Sequence, residues 1–242
     1  MTLLDIVNNS RRIVFFGGAG VSTESGIPDF RGQDGLYRMK YAVPPETIIS
    51  ASYFHAHPEE FFRFYRDKML ALNAQPNAAH KKLAQWERAG KLHAVVTQNI
   101  DGLHQAAGSR RVYELHGSVH RNHCLACKKS YPASFIARSS GVPRCSCGGI
   151  VKPDVVLYEE PLDGEVIEGA LAAIASADTL IVAGTSLTVY PAASFVSYFR
   201  GENLVLINRD PTPLDGQCTL VLHEKVGQVL GALPSYLPED TP

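Results

Sequence analysis

The sequence predicts an α/β architecture: a mostly parallel sheet covered by helices on both faces, interrupted by a smaller inserted lobe. Three observations predict it. Short runs of apolar, β-branched and aromatic residues recur along the 242 residues, as buried parallel strands require. Stretches of helical periodicity lie between those runs. Two segments, residues 32–75 and 118–152, break the alternation, and the second holds four of the five cysteines.

The elements follow in order. Residues 3–7 are a short apolar helix, and 13–16 a buried strand ending in glycines. Further strands are expected at 93–97, 179–183, 204–207 and 218–222. Helices are expected at 78–89, 164–175, 192–199 and 225–230. Pro58 suits the first turn of another helix, over 58–72. The tail, 235–242, is expected to fray.

Composition narrows the function. Apolar residues are 45% and charged residues 19%, which fits a globular chain and excludes wholesale disorder. Lys and Arg number 23 and Asp and Glu 24, so the net charge of −1 gives no overall basic footprint for nucleic acid. No apolar window is long enough to span a membrane. The first residues lack the basic-then-apolar pattern of a secretory signal, so a reducing cytoplasm is the expected location. The cysteine count is odd, which argues against a disulfide framework.

The first strand runs into Gly17-Gly18-Ala19-Gly20-Val21-Ser22. Such a loop lets backbone N–H groups approach phosphate oxygens. Thr23 stands where a dinucleotide fingerprint has its third glycine, so a tight strand-to-helix turn is the alternative. The loop continues polar to Gly32, and its Phe30 can cover an apolar face while Arg31 meets phosphates.

A second polar cluster, Gln98-Asn99-Ile100-Asp101-Gly102, follows the strand at 93–97. Ligands of open α/β sheets bind beyond the carboxyl ends of strands, which is where these side chains fall. A helix cap by Asn99 or Asp101 is the alternative. His116 follows an alternating pattern and precedes Gly117. An imidazole suits general-base work near neutral pH, although a lone histidine is more often structural.

Cys124 and Cys127 are separated by seventeen residues from Cys145 and Cys147. Two knuckles at this spacing form a zinc ribbon. Four thiolates close a tetrahedral structural site, with no open position for catalysis. The second knuckle is one residue short, which leaves His123 as an alternative ligand and a redox pair as the alternative chemistry. Cys218 is expected to be a buried strand residue rather than a nucleophile.

Together the motifs carry a resemblance. Gly18-Ala19-Gly20-Val21-Ser22, Gly26 to Arg31, Thr97 to Asp101, Glu114 to Gly117, the paired cysteines, Lys152 to Val156, Gly184 to Leu187 with Val189 to Ala192, and Ile207-Asn208 occur in an order that resembles the sirtuin family, NAD-dependent protein-lysine deacylases. The chain looks most like the compact bacterial members. The resemblance implies a Rossmann-like domain from residues 1–31, 76–117 and 153–242, an inserted helical module at 32–75 and a zinc-binding module at 118–152. It implies NAD as co-substrate, structural zinc, and acetylated lysine proteins as partners. It implies no nucleic acid or membrane partner, and a monomer.

The resemblance also assigns roles. Gly18, Ala19, Gly20, Ser22 and Thr23 would form the diphosphate loop, and Arg31 would meet the phosphates. Phe30 would shield the reacting ribose carbon after nicotinamide departs. Gln98, Asn99 and Asp101 would hold ribose and carboxamide, with Ile100 on the nicotinamide. Gly184, Thr185 and Ser186 would contact the adenosine side, Asn208 the adenine ribose, and Val226 or Lys225 the adenine. His116 would be the general base, with Asn99 and Asp101 also catalytic. Val156, Leu157, Tyr158, Glu159 and Glu160 match the peptide-binding segment, and Val189 the facing one. Many members carry Phe-Gly-Glu where this chain has Tyr158-Glu159-Glu160. Members that remove acidic acyl groups carry a tyrosine and, three residues on, an arginine; here Tyr65 is followed by Lys68. Phe61, Phe62 and Phe64 are expected in the core or the acyl tunnel wall. Deacetylation is the expected reaction. Its rivals are removal of other acyl groups, protein ADP-ribosylation, and a non-catalytic NAD- or ADP-ribose-binding module.

Overall fold

A computed structural model describes residues 1–29, 35 and 42–235. Phe30 and Arg31 lie outside the described residues. Helix α1 (Leu3–Asn9) starts from a capping box between Thr2 and Asp5 and buries Leu3, Ile6 and Val7. It leads into β1 (Ile13–Gly17), which is buried along its whole length. Helices α2 (Pro45–Ile48), α3 (Ala51–Ala56) and α4 (Pro58–Phe64) follow, and α4 widens into a π-turn over Tyr65–Met69. The chain then forms α5 (Ala78–Arg88), β2 (Leu92–Thr97), α6 (Leu103–Ala106) and β3 (Val112–Glu114). A small antiparallel sheet comes next, built from β4 (Gly117–Cys124), β5 (Ser130–Pro132) and β6 (Val151–Val155), with α7 (Ala133–Arg138) between the last two. Helix α8 (Gly164–Ala175), β7 (Thr179–Ala183), β8 (Asn203–Ile207), β9 (Leu220–Leu222) and α9 (Val226–Gly231) complete the chain.

The large sheet has the order β3-β2-β1-β7-β8-β9 and is parallel throughout. Alternation along β1 sends Ile13 and Phe15 to one face and Val14 and Phe16 to the other. The first face is covered by α1, α5 and α9 through Leu3, Leu83, Trp86 and Leu230. The second is covered by α8 and the 192–198 segment through Ala170, Ile174 and Phe195. A third core joins Phe54, Phe61, Phe62 and Tyr65 to Val119, Ile136, Val151 and Val155, so α3 and α4 pack on the small sheet. Phe61 and Phe62 belong to this core, and Phe64 packs with Ile48 and Ile49. None of the described helices is long and apolar enough to cross a membrane.

The observed elements depart from the sequence reading in four places. A sixth large-sheet strand, β3, is only three residues long and lies in the alternating stretch before His116, which the sequence reading did not count as a strand of the sheet. Residues 192–198 form a 3-10 helix. The Ser194 and Ser197 hydroxyls donate to carbonyls three residues back, at 2.7 and 2.6 Å, in keeping with the tighter turn. The 58–72 helix ends at Met69 because the π-turn alters its hydrogen bonding. Cys218 lies before β9, half-buried rather than buried, with its thiol donating to the Leu214 carbonyl at 3.3 Å. Burial pushes that thiol up to about 11, which keeps it protonated.

Beneath the large sheet's end, His80 of α5 and His104 of α6 meet edge-on, 4.7 Å between ring centroids, and both are buried. The Asn77 N–H donates to His80 Nδ1 at 3.3 Å. Burial lowers His80 to about 4, against a smaller opposing effect of Asp101, and burial with the neighbouring His80 lowers His104 well below its ordinary value. Both rings are therefore neutral in the native protein and take up protons readily only when unfolded. Their stabilisation is complete above pH ~6.5 and is lost as the pH falls from there towards 4. The His80 shift alone corresponds to about 3 kcal/mol. Urea midpoints measured between pH 7 and 4.5 should fall more steeply for the native chain than for His104→Leu. Equal slopes would sink the assignment, since acid loss of a metal would affect both proteins alike.

Candidate active site

A cleft of about 370 Å³ opens beyond the carboxyl ends of β1, β2, β7 and β8, and reaches the residues that follow β6. Its floor is a side-chain network. Ser22 Oγ donates to Asp101 Oδ2 at 2.6 Å, and Asn99 Nδ2 donates to Ser22 Oγ at 3.0 Å. Asp101 Oδ1 accepts from the Leu103 N–H at 2.9 Å, so the carboxylate also caps α6. Asn99 is 9% exposed and is further held by its own N–H on Thr97 Oγ1 at 3.0 Å. Asp101 thus sits one residue before the N-cap Gly102 and lines the cleft as well as bonding the first turn of α6.

His116 sits on the same wall. Its Nδ1 lies 2.9 Å from the Gln98 carbonyl, which fixes the tautomer with the proton on Nδ1 and leaves Nε2 as an acceptor. Burial lowers the imidazole below its ordinary value, only partly opposed by the Gln98 carbonyl. The ring is thus a neutral base at pH 7. Gly117, at φ +74°, turns the chain sharply after it; an added Cβ would collide with the Asp154 carbonyl oxygen of β6.

The glycine loop works by close approach. The Gly18 and Gly20 N–H groups donate to the Ala183 and Gly184 carbonyls at 3.1 and 2.8 Å. A Cβ on Gly20 would stand 2.7 Å from Gly184 Cα. The loop after β1 and the loop after β7 therefore touch backbone to backbone. Gly18 does not line the cleft, whereas Ala19, Gly20, Ser22 and Thr23 do. Gly184, Thr185 and Ser186 face them. Thr185 Oγ1 accepts from Gln98 Nε2 at 3.1 Å, tying that loop to the one after β2. Ile100, Asn208 and Val226 also line the cleft. Glu24 accepts from the Gly227 N–H at 2.6 Å and so fixes the start of α9 beside Val226. No sequence signal marked Glu24; its partner is about 200 residues away. Ile27, Pro28, Asp29, Ile49, Met69 and Arg209 are further wall residues that sequence reasoning did not select.

The four thiols converge elsewhere. Their Sγ atoms all lie within 4.8 Å of one another, with Cys124–Cys147 and Cys127–Cys145 each at 3.5 Å. A zinc ion with sulfur at ~2.3 Å on tetrahedral corners needs sulfurs ~3.8 Å apart, so the set fits. The short knuckle still delivers both of its thiols. Gly149 makes room, since a Cβ there would meet Cys124 Sγ at 2.6 Å. His123 pairs instead with Asp154 and stands outside the thiol cluster, so the four cysteines are the ligand set.

A family model described as Sir2 family matches residues 18–191. The chain belongs to the Sir2 family. An NAD-dependent protein deacetylase of Clostridium perfringens (strain 13 / Type A) is 59% identical over 233 residues, covering 95% of this chain and 96% of that protein. One from Cutibacterium acnes (strain DSM 16379 / KPA171202) is 55% identical over 229 residues, covering 94% of each. A solved Sir2 structure with p53 peptide and NAD+ matches with a TM-score of 0.84 at 40% identity, over 95% of this chain and 96% of that one. A second, with deacetylated p53 peptide and 3′-O-acetyl ADP-ribose, gives a TM-score of 0.86 at 41% identity, over 94% of each.

Within this Sir2-family chain, Val156, Leu157, Tyr158, Glu159 and Val189 all reach the cleft. The Val156 N–H donates to the His116 carbonyl at 3.0 Å, so the segment after β6 is anchored to the backbone of His116. Glu160 accepts from the Leu157 N–H at 2.8 Å and pairs with Lys152 at 3.1 Å. Glu159 adopts φ +76°, a left-handed conformation that a glycine enters without strain. Its carboxylate compensates by accepting from the Ser52 N–H and hydroxyl, at 2.8 and 2.9 Å, at the start of α3. Glu159→Ala removes these bonds and keeps the strain, whereas Glu159→Gly removes both. Thermal melts should rank native above Glu159→Gly above Glu159→Ala, with the two variants about 1 kcal/mol apart. An alanine variant as stable as the glycine variant would refute the strain.

Proposed function

We propose that this chain removes acetyl groups from protein lysines in an NAD-dependent reaction that consumes one water, giving nicotinamide, free lysine and O-acetyl-ADP-ribose. The observation that carries the reading is one wall holding a neutral His116 beside the Ser22–Asn99–Asp101 network, in a chain of the Sir2 family. NAD supplies the ribose carbon that accepts the acyl oxygen as nicotinamide leaves.

The protein's own groups divide that work. Ala19, Gly20, Ser22 and Thr23 line the diphosphate, with Gly18 packing behind them. Gly184, Thr185, Ser186 and Asn208 hold the adenosine side, and Val226 borders the adenine. Asn99 and Asp101, locked through Ser22, orient the nicotinamide end, and Ile100 packs on its ring. Gln98 contacts ribose and keeps His116 aimed. His116 Nε2 takes the proton from a ribose hydroxyl as general base. The acetyl-lysine peptide adds as a strand between the segment 156–159 and Val189, using main-chain hydrogen bonds.

Acetyl is favoured over acidic acyl groups by two observations. Tyr65 is fully buried among Phe54, Phe61 and Phe62, away from the cleft wall. Lys68 does line the cleft, yet its ammonium lies 3.0 Å from the Asp67 carboxylate. Lys68 presents a point charge, without the bidentate fork of an arginine. The four thiols suit the reducing cytoplasm as location.

The test is mass spectrometry of an acetyl-lysine peptide with and without NAD. NAD-dependent loss of the acetyl group, with O-acetyl-ADP-ribose formed, supports the reading. NAD consumption that adds mass to protein instead would transfer the site to ADP-ribosylation, and untouched NAD would leave a binding module.

A further inference from the structure

The opposite end of the large sheet carries a second concentration of charge. Arg11 and Arg12 precede β1, His93 lies in β2, and Arg110 and Arg111 precede β3. These residues surround an open cavity of about 850 Å³. Two carboxylates are nearby, and each accepts from backbone N–H groups, while Asp178 Oδ1 is buried with no hydrogen-bond partner. Asp178 Oδ2 accepts from the Arg11 and Arg12 N–H groups at 2.7 and 3.0 Å. The two oxygens of Glu87 accept from the Arg110 and Arg111 N–H groups at 2.7 and 2.8 Å. Both carboxylates therefore fix the backbone that presents the arginines. Among the described residues, none of the four guanidiniums forms a salt bridge.

The arrangement around His93 is mismatched. Arg12 Nη2 lies 2.6 Å from Nε2, and Arg111 Nη1 lies 2.9 Å from Nδ1. A neutral imidazole accepts at one nitrogen only, and guanidiniums have no acceptor at all. With the proton on Nε2, the Arg12 donor faces another donor; with the proton on Nδ1, Nε2 has to accept from both Arg12 and Arg111, whose Nη1 also lies 3.2 Å from Nε2. Protonation of the ring would make the mismatch worse, and burial together with Arg12 and Arg111 lowers its proton affinity. Two guanidiniums thus crowd one imidazole acceptor, and Arg11 and Arg110 line the same cavity. What is missing is a compact oxyanion, which accepts from several N–H groups at once and matches the planar fork of arginine.

We propose that this end of the sheet is an anion site that takes a phosphoryl group between the Arg12 and Arg111 guanidiniums. It is separate from the cleft, which lies at the other ends of β1 and β2. The same local field raises the concentration of phosphorylated anions near the patch.

The test follows the His93 imidazole resonances by NMR during titration with pyrophosphate, at fixed pH and at ionic strength held constant with sodium chloride. A phosphoserine peptide is titrated in parallel. A saturable His93 shift, weakened at least tenfold in R12Q/R111Q, supports the site. Tighter pyrophosphate assigns it to free phosphates, and a tighter peptide to a phosphorylated protein. A shift that does not saturate, or that sodium chloride reproduces, overturns the proposal. So does a saturable His93 shift with pyrophosphate that survives in R12Q/R111Q. Retained NAD-dependent deacetylation reports that the variants are folded. The R12K/R111K protein keeps the charge without the fork, so it should bind at an intermediate level.

Discussion

Replacing His116 with Ala should lower kcat/KM for NAD-dependent deacetylation about 100- to 10,000-fold, the usual contribution of a positioned general base. The fold should be nearly untouched. The imidazole makes one structural hydrogen bond, to the Gln98 carbonyl, worth about 1 kcal/mol. NAD binding should survive, because the phosphate- and adenosine-facing loops are held by backbone contacts that do not involve His116. The pH profile gives a sharper test. Burial lowers the imidazole's proton affinity, so the base form persists below the usual histidine range. The acid limb of kcat/KM should therefore lie below pH ~6.5. An acid limb above that value, or an alanine variant with native kcat/KM, would remove His116 from the role of base.

Loss of the metal should have the largest effect on the structure. Cys124 and Cys145 belong to the same core as Phe54, Phe61 and Phe62, so the thiol cluster and helices α3 and α4 are one packed body. Zinc in small modules contributes an apparent ~10–16 kcal/mol of folding free energy. Chelation, or Cys145→Ala, should abolish zinc retention and sharply lower the melting temperature. Activity should fall too, although no cysteine lines the cleft. The reason is that β4 begins at Gly117, next to His116, and β6 runs directly into Val156. A Cys145→Ala protein that keeps one zinc and the native melting temperature would break this argument.

The strands of the large sheet were the most legible part of the sequence. A parallel strand buried on both faces must be mostly apolar, and β1, β2, β7 and β8 are, with polar residues such as His93, Thr179 and Asn203 near their starts. The edge strands were less legible: β3 showed only as a brief alternation before His116, and β9 is shorter than its apolar run. The 192–198 segment has the apolar residues of an α-helix, but its serine side chains bond locally and its turns tighten. The site residues were legible as motifs because their types are unusual immediately after strands. Glu24 was not, since a glutamate in a polar loop looks the same whether it faces water or a backbone N–H far along the chain. Glu159 was legible as a departure from the family pattern, but not the Ser52 contact that makes it tolerable.

Residue types and their local spacing determined the chemistry this chain can perform: thiols for a metal, an imidazole for a proton, and polar groups at strand ends for a ligand. Those properties belong to side chains and short-range geometry, so one dimension suffices to read them. Tertiary structure alone decided the states of these groups. The depressed proton affinity of His116 and the neutral His80–His104 pair come from desolvation, which depends on what packs around a ring. The choice of four cysteines over His123 and the uncompensated arginines around His93 come from contacts between distant segments. Such contacts are set by the fold as a whole, and no local stretch of sequence encodes them.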